Sequence, residues 1–438
     1  MRAFRPIVST LIIAAAAIMG IGQSAAFAAD RCAAGSGEPQ PSDFVLPAQS
    51  SPFIFKVLGD TIYPVAGTDG LIHLAYVAQV TNATVAPGKN FRVVPVDPLR
   101  NYGATGRNFV EDVNGPVITG LIAPFSKTPQ NEPDDVDLPI TTPPQPIYSD
   151  RLRAGASGLS FFDVTYTDLA AVPSLLSHQL FVNLDEHGLM DHTSLTTPIA
   201  VSCRDPVVLS PPLAGSGWFD ANGCCAVVNG HRASASGLHL NGDLRAAEQF
   251  AVDWLRIDAH GRCCNGDPTL LQSWEFYGVP IYAAASGTVF SVIARDQPDQ
   301  EPVGTVRDIT LQNLPGNSLI EDIGGGRYIL YAHMKPGSIP TTIQDGTHVE
   351  VGQMIGRLGN SGNSGAPHLH FQVMDSPSAL VASGVPFVFD RLRVQGRIIG
   401  VEGPVVDDYL AGKPIPLDTS GNGSQRQKMP LSSTVFGF

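Results

Sequence analysis

Short runs in which apolar and polar residues alternate follow one another along the chain, and turn-forming residues separate them. Alternation with a period of two residues is typical of β-strands that have one buried face. In the first half of the chain such runs cover residues 71–80, 91–96, 159–166 and 178–184. Their regular spacing predicts a β-sandwich of the immunoglobulin-like type over residues 51–203.

The second half of the chain has the same strand pattern. Residues 278–292 are typical of two strands joined by a tight Ser-Gly turn, and residues 327–334 indicate a further strand. We therefore expect an antiparallel β-sheet domain over residues 218–438, which makes the whole chain all-β. Proline, glycine and serine are frequent in residues 204–217, and this predicts a linker between the two domains.

Composition indicates a folded protein, and the first residues indicate export. Of the 438 residues, 43% are hydrophobic and 15% are charged, as in globular rather than disordered chains. A basic start, an apolar stretch and small residues before Ala28 predict a signal peptide over residues 1–28, with a flexible lead-in over residues 29–50. The alternative is an uncleaved anchor, but the apolar stretch is short for a membrane span. We expect a periplasmic or extracellular protein without a membrane span after cleavage near Ala28.

The negative net charge of the chain argues against a nucleic-acid partner. The formal charge is −13, and removal of the predicted signal peptide, which holds two arginines and no acidic residue, changes it to −15. An acidic surface repels phosphate backbones, so we expect no nucleic-acid partner.

Six cysteines remain after the predicted cleavage, and four of them form two doublets, Cys224-Cys225 and Cys263-Cys264. An even number of cysteines in an exported chain favours disulfides, and the two doublets could be joined to each other. A thiolate zinc site is the alternative, although the doublets lack the C-x-x-C spacing typical of such sites.

The strongest candidate for chemistry is the stretch 359–373, GNSGNSGAPHLHFQV. A turn-forming run ends at a proline, and on the strand that follows His368 and His370 point to one face. Two imidazoles on one face of a rigid sheet suit a metal site, and solvated surface histidines are the alternative. His333, at the end of another predicted strand, is expected to share a face with Ile329 and Tyr331.

An acidic residue in an apolar strand is the next candidate. Residues 247–257 alternate in strand fashion, and this pattern places Asp253 on the same face as Gln249. Because an unpaired buried carboxylate is costly, Asp253 is expected to meet a metal or a pair of imidazoles.

Taken together, these segments make the second domain resemble the lysostaphin-type, or LytM-like, zinc metallopeptidases. The likeness covers PIYAAASGTV, YILYAHM, FAVDW and the HLHF motif after the Gly-Asn-Ser repeat. It implies a mainly antiparallel β-sheet domain with an open groove, one Zn²⁺ per chain, and peptidoglycan or another exported peptide as substrate. Asp253 and His370 match two of the family's zinc ligands, and His333 and His368 match the pair that handles the nucleophilic water and the tetrahedral intermediate.

One position departs from the family pattern, which is His-x-x-x-Asp. Gln249 stands four residues before Asp253, and its amide oxygen would be a weak third zinc ligand. Other residues could supply the third ligand instead. Glu248 is a stronger donor, but strand parity points it to the opposite face unless a bulge turns it over. His231, His239 and His260 are near in sequence and could reach the site from a neighbouring strand. Three functions follow: a zinc metalloendopeptidase, which we favour; a binding or regulatory module of the cell envelope with little or no activity; or a metal-dependent hydrolase of another class that reuses the site.

Overall fold

The computed structural model describes residues 53–59, 61–83, 90–93, 97–102, 109–112, 123–124, 151–153, 157–183, 191–195, 199–225, 231–232, 239–240, 243–400 and 404–438. The predicted signal peptide and lead-in lie outside these residues. Within this described part, no helix combines the length and the apolar character that crossing a bilayer would require.

Strands dominate the described chain, as the alternating pattern predicts. The N-terminal strands are β1 (Phe53–Val57), β2 (Pro64–Ala66), β3 (Ile72–Asn82), β4 (Asn90–Val93), β5 (Asp97–Tyr102), β6 (Phe109–Asp112), β7 (Ala123–Pro124), β8 (Arg151–Arg153), β9 (Ser157–Tyr166), β10 (Leu175–Asn183), β11 (Asp191–Leu195) and β12 (Ile199–Ala200). The C-terminal strands are β13 (Val207–Leu209), β14 (Ser216–Asp220), β15 (His239–Leu240), β16 (Asp243–Leu244), β17 (Val252–Arg256), β18 (Pro280–Tyr282), β19 (Gly287–Ala294), β20 (Asn317–Gly324), β21 (Arg327–Met334), β22 (His348–Val349), β23 (Met354–Arg357), β24 (Leu369–Met374), β25 (Phe387–Phe389), β26 (Leu392–Ile398), β27 (Leu417–Asp418), β28 (Gly423–Gln425) and β29 (Thr434–Gly437). Helix α1 (Pro404–Leu410) and the 3-10 turns Leu169–Ala171 and Leu271–Ser273 interrupt them.

Two sheets form the N-terminal part. One has the order β1-β3-β9-β7 with β2 beside β3, and the other has the order β6-β5-β10-β4-β8 with β11 and β12 beside β10. Leu74 and Phe162 of the first sheet share one buried apolar cluster with Leu176 of the second. Two sheets around a common core are what a sandwich requires, while the immunoglobulin-like type remains a prediction.

One large sheet organises the C-terminal part, in the order β22-β19-β20-β21-β24-β17-β14-β29-β26-β27 with β28 beside β26. Its central strands β21, β24 and β17 are antiparallel to their neighbours. Trp254, Tyr331 and Phe371, from these three strands, are fully buried in the main apolar cluster. This packing fixes the register of the strands. Their other face carries Asp253 and His370 beside a smaller apolar cluster that includes Leu330, Ala332 and Met374.

The two parts of the chain are in close contact. Residues 207–209, inside the predicted linker, form β13 and pair in parallel with β25, so this piece packs in the C-terminal part. Met429 N donates to Ala66 O at 2.8 Å, and Gln425 Nε2 donates to Thr68 O at 3.0 Å. Backbone and side-chain hydrogen bonds therefore hold the N-terminal sheet against the C-terminal strands.

The cysteine doublets are not joined to each other in this structure. Cys224 is bonded to its neighbour Cys225, whereas Cys263 and Cys264 are free and buried. Cys203 is also disulfide-bonded. The suggested link between the doublets is absent here because Cys224 bonds to its own neighbour, and the disulfide pattern of the six cysteines stays a prediction.

A buried acid in the large sheet leads to a pH prediction. Glu321 on β20 is fully buried, and Tyr331 Oη donates to its Oε2 at 2.7 Å. Burial raises the pKa of Glu321 from its ordinary value to about 7. In the unfolded chain this group ionises at a lower pH, so the folded state binds more protons and loses stability as pH rises from about 4.5 to about 7.

We predict that Glu321→Gln stabilises the protein more at pH 8 than at pH 5, by up to about 3 kcal/mol. The measurement is the free energy of unfolding by denaturant at both pH values, with the exposed Glu350→Gln as the matched control. A difference between wild type and Glu321→Gln that does not change with pH would contradict the prediction.

Candidate metal and catalytic site

A carboxylate and an imidazole from adjacent strands form the centre of the site. Asp253 on β17 and His370 on β24 face each other directly in the antiparallel ladder. His370 Nδ1 lies 3.0 Å from Asp253 Oδ1. Their flanking residues, such as Trp254 and Phe371, are in the apolar core, so alternation directs both polar side chains to the opposite face.

A second imidazole completes this centre from a distant part of the sequence. His231 Nε2 lies 3.2 Å from Asp253 Oδ2. The other ring nitrogen, Nδ1, lies 3.0 Å from Asn222 O and 3.2 Å from Ala251 O. Since carbonyls only accept, Nδ1 keeps its proton, and the proton that Nε2 shares with the carboxylate is the one that a metal ion would displace to gain a lone pair.

The group His231, Asp253 and His370 has the properties of a metal site. One ligand atom from each residue lies within 4.8 Å of the other two. His370 Nε2 is 2.8 Å from Gln372 Oε1 and can donate to it, so Nδ1, which now contacts Asp253 Oδ1, is the nitrogen that a metal ion would take in place of a proton. Two imidazole nitrogens and a carboxylate oxygen, with an open fourth position, are a typical donor set for catalytic zinc. The residues therefore fit a zinc ion.

Gln249 is not part of this group. Residues 247–250 form a turn, in which Ala251 N donates to Glu248 O at 3.1 Å, and β17 begins only at Val252. The strand parity expected over residues 247–257 therefore does not extend to Gln249. Its side chain lines a separate small cavity with Tyr76 and Ser383. The side-chain amide group makes no hydrogen bond to any described residue.

His368 lies beside the metal-binding group, on the same face as His370. Its Nε2 is 3.3 Å from Asp253 Oδ1, and its Nδ1 is 2.8 Å from Ala366 O. The second hydrogen bond places the proton on Nδ1 of the neutral ring and leaves a lone pair on Nε2. The sequence prediction that His368 and His370 share one face is thus met in the geometry.

His333 reaches the site through an irregularity of β21. The sequence prediction placed His333 on the face of Ile329 and Tyr331, and in the structure both of these residues lie in the apolar core. Between Leu319 and Asn317 of the partner strand, however, the register shifts by one residue, and His333 has a left-handed φ of 62°. The bulge turns the imidazole to the polar face, where its ring centroid is 4.6 Å from that of His368. The expected shared face was therefore wrong, and strain of this kind is typical of functional sites.

The Gly-Asn-Ser loop before β24 positions both of these imidazoles. His333 Nδ1 lies 2.8 Å from Ser361 O, and His368 Nδ1 lies 3.1 Å from Ser364 Oγ. Gly362 has a φ of 77°, and a Cβ there would collide with the backbone of Gly316. The small residues therefore allow the loop to pass close to a neighbouring segment while its serines contact the histidines.

Burial and mutual charge perturb the ionisation of the site. Burial alone would raise the pKa of Asp253, but the charges of His231 and His368 hold it well below its ordinary value. Burial together with the neighbouring imidazoles lowers the pKa of His333 well below its usual range. Burial opposes protonation of His231 as well, yet Asp253 raises the pKa of this ring to about 10. A cation at the centre would replace the protons that now balance the carboxylate.

The site opens into a cleft between the two parts of the chain. The C-terminal part of the chain contributes Asp253 and His368 to the lining of this cleft. The N-terminal part contributes Asp69, His73 and Asp163. His73 is held between the two N-terminal carboxylates, at 3.2 Å from Asp69 and 3.0 Å from Asp163. The N-terminal part therefore forms a wall of the cleft that leads to the site.

Comparison with known proteins assigns the C-terminal segment to a family. Residues 275–381 match the model of peptidase family M23. This range contains His333, His368 and His370, and it begins after Asp253. No protein of curated function matches the chain.

Several solved M23 structures are similar to the chain at low identity. The catalytic domain of the prophage-encoded M23 protein EnpA from Enterococcus faecalis is 17% identical over 41% of this chain and 93% of its own, with a TM-score of 0.23. The catalytic domain of lysostaphin from Staphylococcus simulans is 21% identical over 39% and 88%, with a TM-score of 0.19. The deep-sea M23 metalloprotease pseudoalterin is 13% identical over 50% and 94%, with a TM-score of 0.25. At these values the family assignment depends on the sequence match.

We predict that His231→Ala weakens zinc binding strongly, by about 100-fold or more, because one of three protein ligands is lost. Gln249→Ala should leave zinc affinity nearly unchanged, and it is the matched control, since both residues are buried near the same strand. Competition with a chromophoric chelator measures both affinities. A loss of zinc from Gln249→Ala, with His231→Ala unaffected, would contradict the assignment.

Proposed function

We propose that this chain, whose residues 275–381 form an M23, LytM-like peptidase domain, is an exported zinc metalloendopeptidase that hydrolyses peptide bonds of bacterial peptidoglycan. The observation that carries the proposal is the group of His231, Asp253 and His370 with two further imidazoles beside it. The match to family M23 supports the peptidoglycan substrate. The signal peptide predicted over residues 1–28 supports export.

His231 Nε2, an Asp253 carboxylate oxygen and His370 Nδ1 would hold the zinc. When bound, zinc lowers the pKa of a coordinated water to about 7 and polarises a substrate carbonyl. The carbonyl oxygens of Asn222 and Ala251 keep His231 in its ligating tautomer, and Gln372 does the same for His370. These polar neighbours therefore orient both imidazole ligands before a substrate arrives.

His333 and His368 would move the protons of hydrolysis. Each donates its Nδ1 proton to a backbone carbonyl, Ser361 O for His333 and Ala366 O for His368. In the neutral form each ring therefore has a lone pair at Nε2, which can accept a proton from the attacking water. Once protonated, the same nitrogen can donate to the oxyanion or to the leaving amine, so the pair can perform both halves of the reaction.

The alternative of a non-catalytic binding module depended on Gln249 as a missing ligand. His231 now offers an imidazole nitrogen beside Asp253, at 3.2 Å, so that argument loses its basis. All four family positions that the sequence retained, His333, His368, Asp253 and His370, lie within one cluster in the structure. We therefore favour the enzyme.

We predict that His368→Ala and His333→Ala each lower kcat/KM on peptidoglycan by about 10²- to 10⁴-fold, because a proton-transfer group is lost. Both variants should retain about one zinc per chain, since neither residue is a proposed ligand. Release of new amino groups from purified sacculi measures cleavage, and mass spectrometry of the fragments identifies the bond.

His348→Ala is the control for this experiment, because His348 is exposed on β22 and its Nε2 contacts only Glu350 among the described carboxylates. It should cleave as the wild type does. Zinc-loaded wild-type protein that releases no fragments from peptidoglycan or from exported peptides would refute the proposed activity.

A further inference from the structure

We propose that Arg232 is a positioning residue for His231: it clamps the segment that carries this metal-binding imidazole to the N-terminal domain. The inference rests on the proposed zinc site and goes beyond it, since it makes the N-terminal domain a structural part of the active centre. Arg232 is fully buried, although arginine is rarely buried without specific partners.

Among the residues that the structure describes, three backbone carbonyls accept hydrogen bonds from the guanidinium of Arg232. Its Nη1 donates to Cys225 O at 2.8 Å, and its Nη2 donates to Phe162 O at 2.7 Å and to Tyr76 O at 3.0 Å. The first acceptor belongs to the C-terminal part of the chain, and the other two belong to the N-terminal sheet. The planar fork of one side chain therefore joins the two domains.

The acceptors in the N-terminal sheet are rigid. Tyr76 on β3 and Phe162 on β9 face each other in the antiparallel ladder, and their rings stack at a centroid distance of 4.8 Å. A carbonyl fixed in such a ladder cannot turn away from its donor without breaking the strand pairing. Arg232 is thus anchored to groups that move only with the whole sheet.

The residue that precedes Arg232 is anchored on the other side. His231 binds the carbonyls of Asn222 and Ala251 through Nδ1 and approaches Asp253 through Nε2. Two consecutive side chains therefore tie one short piece of chain to the N-terminal sheet and to the strands of the metal site. If the guanidinium is removed, the backbone at residue 231 loses its attachment to the described N-terminal sheet, and the imidazole becomes free to leave the ligand position.

A purely interdomain role for Arg232 would give a different result from a positioning role. Loss of a structural contact lowers the stability of the domain interface and leaves the metal site of the folded protein unchanged. Loss of a positioning contact lowers zinc affinity in the folded protein, by about 10- to 100-fold for outer partners of metal ligands. It also changes the ligand field, because His231 is no longer held at the metal.

The test uses the full mature chain with Arg232→Met, and Arg295→Met as the matched control. Arg295 also donates to three backbone carbonyls, those of Ile339, Pro340 and Ile343, but none of these belongs to the metal group. Zinc affinity is measured by chelator competition below the unfolding temperature of each variant. The absorption spectrum of the cobalt-substituted protein reports the ligand set.

We expect Arg232→Met to bind zinc about 10- to 100-fold more weakly, with a cobalt spectrum that shifts toward that of His231→Ala. Arg295→Met should match the wild type in both measurements. A folded Arg232→Met protein with wild-type zinc affinity and cobalt spectrum would overturn the inference.

Arg232→Lys is the second variant, because an ammonium group keeps the charge but cannot span three carbonyls. It should show a smaller loss of zinc affinity in the same direction, and wild-type affinity in this variant also overturns the inference. Failure of both variants to fold would assign Arg232 a structural role and likewise overturn it. If the wild type itself binds no zinc, the proposed function fails too. If the wild type binds zinc and cleaves peptidoglycan while Arg232→Met is unchanged, only the present inference fails.

Discussion

The buried carboxylate of Asp253 is the constraint around which the site forms. Its side chain is 12% exposed and meets imidazole nitrogens of His231, His368 and His370 at 3.2, 3.3 and 3.0 Å. A carboxylate in such a place is stable only when charges or hydrogen bonds compensate it. The imidazoles can do this when protonated, and a metal ion can do it in their place. The same electrostatic demand thus accounts for the packing of the site and for its proposed chemistry.

The sheet supplies the precision that this arrangement needs. β17 and β24 place Asp253 opposite His370 by backbone register, and the apolar core on the other face prevents a slip. His333 does not follow this regular register. A bulge in β21 and a positive φ turn its imidazole toward Asp253 and the other histidines. Regular strands therefore hold the proposed ligands, whereas an irregular strand end and a glycine-rich loop hold the proposed proton-transfer groups.

The N-terminal part of the chain contacts the region of this site in two ways. It forms one wall of the cleft, with Asp69 and Asp163 facing the side of Asp253 and His368. It also accepts the hydrogen bonds of Arg232, next to a proposed ligand. Residues of both parts of the chain therefore line the cleft, and the guanidinium next to His231 bonds to carbonyls of both parts.

The sequence by itself determined the strand-rich fold and most of the candidate site. Period-two alternation identified the strand of His368 and His370, because side-chain direction there follows from local geometry. Motif order identified Asp253 and His333. Only the tertiary structure decided that His231 approaches Asp253, that Gln249 lies in a turn away from it, and how His333 is turned. These three depend on a long-range contact, a strand boundary and a bulge, and none of these leaves a periodic signal in the chain.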